Sequence, residues 1–365
     1  MVSPGVPLAL FITSLSFRLH FTEQLLDYPR QTSAAIEGAY RHSRSCGDHD
    51  VPRIGDRPMI ALRVLKYGII LLVLGLAAAQ AQATPFVRFS DIVGFGDSET
   101  DSGNAFLASS LLDNTAPNPS PPYFAGRWSN GPNWIDYLSR SRLLAKRYIV
   151  GVAPSLERGP NYAWGGARTG DSSRVPSLID QVRRYLITRD FKADPRALYI
   201  IWAGGNDLRD VLNGQVAAVT AVAQAVDNIA LAIRRLQRTG AVHIVVFNLP
   251  NLGLAPAVNQ NPKLVEAATG LTDAFNQALT NALHDLPRVM LFDLYRLAEE
   301  AISNPEAFGL VNVTDACIGD PLTEEAMFEV CQEPEGFLFW DSLHLTTAGH
   351  RLLASELRSF LLLRH

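Results

Sequence analysis

Short apolar runs rich in β-branched residues alternate with longer stretches of helical periodicity along the chain. The runs are Asp91–Phe95, Ala197–Ala203, Ala241–Phe247 and Val289–Phe292, with a weaker one at Arg147–Val152. Continuous apolar runs this short suit strands covered on both faces. Helical patterns occupy Val175–Thr188, Gln215–Thr239, Pro262–Leu286, Leu294–Ser303 and Thr346–Leu363. Strand and helix in alternation imply an α/β fold: a three-layer α/β/α sandwich around a central, mainly parallel, five-stranded sheet with right-handed crossovers. In such sheets ligands bind at the carboxyl ends of the strands, which gives a positional test for any motif. The Pro-rich stretch Pro117–Pro122 reads as a surface loop, and no internal repeat is visible.

Upstream of this pattern, Arg63 and Lys66 precede an uncharged apolar run, Gly68–Ala79, that closes on Ala81-Gln82-Ala83. That is the layout of a signal peptide over residues 59–83, implying a secreted or periplasmic protein. The run is shorter than the ~20 residues a spanning helix needs, so no stable membrane anchor is expected after cleavage. Residues 1–58 read either as a cytoplasmic, disordered extension or as a mis-called frame whose true start is Met59, the second being preferred. Residues 84–365 then form the catalytic domain. Without residues 1–83 the chain keeps 24 basic and 30 acidic residues, a net charge near −6 with no basic block. Nucleic acid is not an expected partner.

Cys46 falls before the cleavage site, leaving Cys317 and Cys331 as an even pair in an exported chain. A disulfide between them is the natural reading. No further cysteine or close histidine pair completes four ligands, so no metal site is expected.

Chemistry concentrates in four segments. Phe95-Gly96-Asp97-Ser98-Glu99-Thr100-Asp101-Ser102-Gly103-Asn104 begins where the first strand ends. Gly96 permits a sharp turn that exposes the Ser98 hydroxyl and turns its amide toward a developing oxyanion. The triplet alone is weak, because serine also caps helices. A second copy, Gly170-Asp171-Ser172, follows no strand and is discounted. Asn161-Tyr162-Ala163-Trp164-Gly165-Gly166-Ala167 offers glycine amides for close approach to a ligand. Trp202-Ala203-Gly204-Gly205-Asn206-Asp207 ends the second clear strand and carries the side-chain amide of Asn206, although a plain polar turn fits it as well. Phe339-Trp340-Asp341-Ser342-Leu343-His344-Leu345-Thr346 brings a carboxylate and an imidazole three residues apart before the last helix, close enough for Asp341 to fix the tautomer of His344.

These four segments, in this order, resemble the defining blocks of the GDSL/SGNH hydrolases, and in particular the secreted branch of bacterial lipases, lysophospholipase-like esterases and plant GDSL lipases. The resemblance runs from about Phe86 to the C-terminus. It implies an SGNH, flavodoxin-like arrangement with Ser98 as nucleophile, Asp341 and His344 as acid and base, and an oxyanion hole built by the Ser98 amide, Gly166 and Asn206, with Gly165 a close contender for Gly166. Glu99 replaces the leucine that gives the family its name. It either alters the field near Ser98 or points to solvent, and the solvent-facing reading is preferred.

The expected reaction is two-step acyl transfer through a Ser98 acyl-enzyme, with no cofactor, on a small-molecule or lipid ester. Trp164, Trp202, Phe339 and Trp340 suit either an apolar acyl pocket or the core. A lipid or fatty acyl ester is the preferred substrate and an acetylated carbohydrate the alternative. A silent binding module on the same fold is the rival of a different class. A dinucleotide site lacks its third glycine after Gly94 and Gly96, and no Gly-x-Ser-x-Gly elbow supports an α/β-hydrolase.

Overall fold

The computed structural model describes residues 88–112, 118–142, 144, 152–170, 173–319 and 329–364. The signal-peptide and upstream assignments, all of the Arg147–Val152 strand candidate except Val152, and Asp171 and Ser172 of the second triplet lie outside the described residues.

Four parallel strands, β1 (Ile92–Gly96), β2 (Leu198–Trp202), β3 (His243–Phe247) and β4 (Val289–Phe292), pair in that order. The register aligns Gly96 with Trp202 and Val246 with Leu291, so the carboxyl ends of the strands lie together. Every residue of β1 and β2 is buried, as expected for strands covered on both faces. Among the described residues the sheet holds these four strands, and an extended segment lies along its β1 edge. Residues 160–164 run beside β1, with Tyr162 N–H donating to the Gly94 carbonyl at 2.8 Å and Trp164 N–H to the Gly96 carbonyl at 3.1 Å. Tyr and Trp alternate there with small residues, a pattern too short to stand out from a loop.

The two helical layers follow from the period-two alternation of the strands. Tyr199 faces Tyr185 of α3 (Leu178–Thr188), their hydroxyls 2.8 Å apart, while Trp202 and Phe247 face Trp134 of α2 (Trp134–Ser139). With α3 stand α5 (Ala218–Arg238) and α6 (Pro262–His284). On the opposite face α2 packs on α8 (Thr347–Leu363), whose Phe360 meets Phe292 edge-on. The helix starts carry their own sequence signals. Asn133 with Asp136 and Ser177 with Asp180 form capping boxes, and Thr346 accepts from the Gly349 amide at the head of α8.

Three elements beyond the expected pattern shape the site. After β1 the chain enters α1 (Asn104–Leu112), which has no acidic residue in its first turn and no basic one in its last. The polar turn after β2 is the first turn of α4 (Gly205–Leu212), while α7 (Leu294–Ser303) follows β4 as its periodicity predicts. A separate two-stranded parallel ladder, β5 (Asn312–Ala316) with β6 (Phe337–Phe339), leads into the Asp341–His344 segment.

Candidate active site

The turn that carries Ser98 is built around Gly96. Its φ is +152°, and a β-carbon there would run into the backbone carbonyl of Trp202 on the neighbouring strand. Glycine is therefore required by the close approach as well as by the dihedral. The buried side chain of Gln181 clamps both polar groups of Gly96, accepting from its N–H at 2.9 Å and donating to its carbonyl at 2.8 Å. The turn then closes with Thr100 and Asp101 amides on the Asp97 carbonyl.

Asp101, fully buried, holds four backbone amides with one carboxylate: Gly103 and Asn104 on Oδ1, Ala105 and Gly165 on Oδ2. Asn133 and Asn161 donate side-chain N–H groups to the Thr100 carbonyl, and Asn104 donates to the carbonyls of Asn161 and Ala163. This polar network fastens the Ser98 turn to the Asn161–Ala167 segment, and hydrogen bonds buried in this way stiffen what they join.

At the far end of the chain, Asp341 Oδ1 accepts from the amides of Leu343 and His344, each at 2.7 Å, which curls the loop back on its own carboxylate. Asp341 Oδ2 then lies 2.6 Å from His344 Nδ1, and His344 Nε2 lies 2.9 Å from Ser98 Oγ. A continuous row of hydrogen bonds thus joins residues separated by 246 positions in sequence. Burial pushes the Asp341 carboxyl up, but His344, the Tyr123 hydroxyl and the Leu343 amide pull it down to about 2. Burial lowers the basicity of His344, and the carboxylate beside it more than offsets that, leaving the imidazole above the ordinary histidine range.

The glycine pair divides cleanly. The Gly165 amide is taken by Asp101 at 2.9 Å, and a β-carbon on Gly165 would strike the indole of Trp128. Gly166 adopts φ +76°, and nothing lies within 4 Å of the place its β-carbon would occupy, so it faces open space. Asn206 sits in the first turn of α4 and donates through Nδ2 to the Ala167 carbonyl at 3.0 Å, which uses one of the two hydrogens of its amide. The loop between is held to α4 by Thr169 on Asp207 and by the two-pronged pair of Arg168 with Asp210.

Two aromatic residues of the site carry no signal in the sequence. Tyr123 donates to Asp341 Oδ2 at 2.7 Å, and the ring of Trp128 stands 5.2 Å from that of His344, between it and the Gly165 loop. Both lie just past the proline-rich stretch, where no periodicity or motif marks them. By contrast Trp164, Trp202, Phe339 and Trp340 are buried, and of the two readings open to them core packing holds. Trp340 packs with Tyr123, Cys317 and Ile318, directly behind Asp341. Cys317 and Cys331 form a disulfide with Cα atoms 4.9 Å apart.

Glu99 departs from its solvent-facing expectation. Its side chain is only 13% exposed and turns inward toward His350 of α8. His243 lies at the start of β3 against Phe89, and His284 is exposed beside Asp285, both away from Ser98.

Residues 92–357 match the model of the GDSL-like Lipase/Acylhydrolase family. The chain belongs to that family. Its members include ester hydrolases, so an ester-hydrolase chemistry comes with membership. Among similar proteins, the phosphatidylcholine-sterol acyltransferase of Aeromonas hydrophila is 30% identical over 79% of this chain and 95% of its own length. Esterase EstA of Pseudomonas aeruginosa is 31% identical over 83% of this chain but only 51% of its own, so the chain spans about half of that relative. A solved structure of a lipolytic G-D-S-L family member from Veillonella parvula covers 74% of the chain and 97% of its own at 12% identity, with a TM-score of 0.39. Among the described residues no helix is long and apolar enough to cross a membrane.

Proposed function

We propose that this family member hydrolyses lipid or fatty acyl esters by a two-step acyl transfer through Ser98. The observation that carries the reading is the row from Asp341 Oδ2 through His344 to Ser98 Oγ, at 2.6 and 2.9 Å. His344 takes the Ser98 proton at Nε2 as Oγ attacks the ester carbonyl, and Asp341 holds the imidazole in the tautomer that leaves Nε2 free to accept. The oxyanion is held by the amides of Ser98 and Gly166 and by the second hydrogen of the Asn206 amide. His344 then passes its proton to the leaving alcohol, and water, deprotonated in turn by His344, releases the acyl group.

The lipid preference is supported by the name of the relative from Aeromonas hydrophila, which acts on phosphatidylcholine, and by α1. That helix leads away from the nucleophile turn and ends in Leu111 and Leu112, 84% and 91% exposed. Profiling esters from short to long acyl chains, together with phosphatidylcholine, tests it. Rates should rise with chain length and disappear in Ser98→Ala, and Asn206→Ala should lose about 10²–10³ in kcat. A profile confined to acetyl esters would remove the lipid reading, and near-normal turnover by Ser98→Ala would remove the nucleophile.

Export is part of the proposal, with residues 59–83 removed and 84–365 forming the catalytic domain. The Cys317–Cys331 bridge supports an oxidising destination. N-terminal sequencing of the exported protein should begin at Thr84.

A further inference from the structure

The residue after the nucleophile is buried where a charged side chain has no evident reason to be. Glu99 Oε2 is fully covered and has no hydrogen-bond partner among the described residues. It lies 3.6 Å from His350 Nε2, a contact too long for a hydrogen bond, on a histidine that is itself 1% exposed with an unpartnered Nδ1. From its own turn Glu99 faces Asp97. From the C-terminal loop it faces Asp341, His344 and Leu345, and from α8 it faces His350. Among the described residues no lysine or arginine forms an ion pair with it.

A carboxylate in that setting would be desolvated with two other carboxylates near it and no fixed cation, so the neutral acid is favoured. Burial pushes Glu99 up to about 8 against the opposing pull of His344, and burial draws His350 down to about 3. At neutral pH the two groups therefore face each other uncharged.

We propose that Glu99 is a positioning residue for the Ser98–His344 pair: a protonated carboxyl that joins the nucleophile turn to the His344 loop and α8, and that on ionising places a negative charge beside the reacting atoms. The proposal rests on the catalytic reading of Ser98 and His344. The tie acts through the 3.6 Å contact of Glu99 with His350, buried in the first turn of α8, the helix that the His344 loop enters. Once ionised, Glu99 opposes the negative charge developing on the substrate carbonyl. It also strengthens the hold of His344 on the proton owed to the leaving alcohol. Where departure of the alcohol limits acylation, both effects slow it.

The test is kcat/KM from pH 5 to pH 10, measured by pH-stat on a soluble ester, for the wild type, Glu99→Gln, Glu99→Leu and Ser98→Ala. The wild type should fall on the alkaline side with an inflection near pH 8, and neither Glu99 variant should. The variant-to-wild-type ratio should therefore grow about tenfold between pH 7 and pH 9. Leucine gives the buried His350 no polar group to face, whereas glutamine keeps one, so Glu99→Leu should also lose kcat relative to Glu99→Gln, with KM unchanged. Infrared spectra of Ser98→Ala provide a readout independent of turnover: a protonated-carboxyl band that titrates near pH 8 and is missing from the Ser98→Ala, Glu99→Gln double variant. Superimposable pH profiles, or a band already lost by pH 6, would overturn the positioning role while leaving the nucleophile intact. Hydrolysis surviving in Ser98→Ala would instead overturn the catalytic reading and this role with it.

Discussion

Tyr123 and His344 share one oxygen: the phenolic hydroxyl donates to Asp341 Oδ2 at 2.7 Å, the same atom that lies 2.6 Å from His344 Nδ1. The carboxylate is thus fixed on both oxygens, with the Leu343 and His344 amides on Oδ1. Its direction toward the imidazole is set by three donors, the Tyr123 hydroxyl and these two amides.

Removing one of them should loosen that direction. Hydrogen bonds to charged groups contribute roughly 1.5–3 kcal/mol, so Tyr123→Phe is expected to lower kcat by about tenfold or more. The Asp341 carboxyl loses one of the groups that pull it down, and the acid limb of the rate profile should change with it. Steady-state kinetics on Tyr123→Phe checks this, and an unchanged kcat would mean that the amides alone orient Asp341.

The pH dependence of the base has a definite sign. His344 is raised by the Asp341 carboxylate, and it must be neutral to accept a proton, so activity should rise with pH through an inflection above 6.5. In Asp341→Asn the charge is gone and the inflection should move to lower pH. The asparagine amide can still accept from the Leu343 and His344 amides but presents N–H to Nδ1, selecting the wrong tautomer. Turnover should drop on the order of 10⁴. An inflection that stays in place would detach Asp341 from the titration.

Glu99 also ties stability to pH. In the fold it keeps its proton to about pH 8, whereas its ordinary value is 4.5. Between those values the folded chain binds one more proton than the unfolded one, so stability falls as pH rises. Glu99→Leu should therefore raise Tm, by an amount that grows from pH 5 to pH 8. Melting curves across that range measure the difference, and a pH-independent shift would assign the slope to other groups.

The disulfide supports the site from behind. Cys317 packs with Tyr123, Ile318 and Trp340, and its amide donates to the Phe339 carbonyl at 3.1 Å. Closing a loop of 14 residues' separation should contribute about 3 kcal/mol in the chain-entropy model. Reduction, or Cys331→Ser, is expected to lower Tm by several degrees and to lower kcat by loosening Tyr123 against Asp341. Differential scanning fluorimetry with and without reductant, paired with an ester assay, would detect both. An unchanged Tm would count against any stabilising role of the bridge.

Much of this protein can be read locally. The apolar runs of β1 to β4 and the periodicity of α3, α5, α6, α7 and α8 mark themselves within windows of a few turns, because burial on both faces or on one stripe dictates them residue by residue. The Ser98, Asn206 and Asp341/His344 segments were legible for a related reason: each needs a particular short backbone conformation, and glycine or a capping residue betrays it. What the sequence by itself could not determine is what meets what. Nothing local to Gly165 and Gly166 says that Asp101 takes the Gly165 amide while Gly166 faces open space. Tyr123 reaches an aspartate 218 residues away, and no local pattern encodes such a pairing. The segment beside β1 came from residues 160–164 because its hydrogen bonds to Gly94 and Gly96 are long-range. Glu99 looks like a surface residue from its type and becomes an enclosed acid only because α8 folds back over the turn that holds Ser98. In each case the deciding energy is desolvation or a contact across the fold, and both come into being only when distant segments pack.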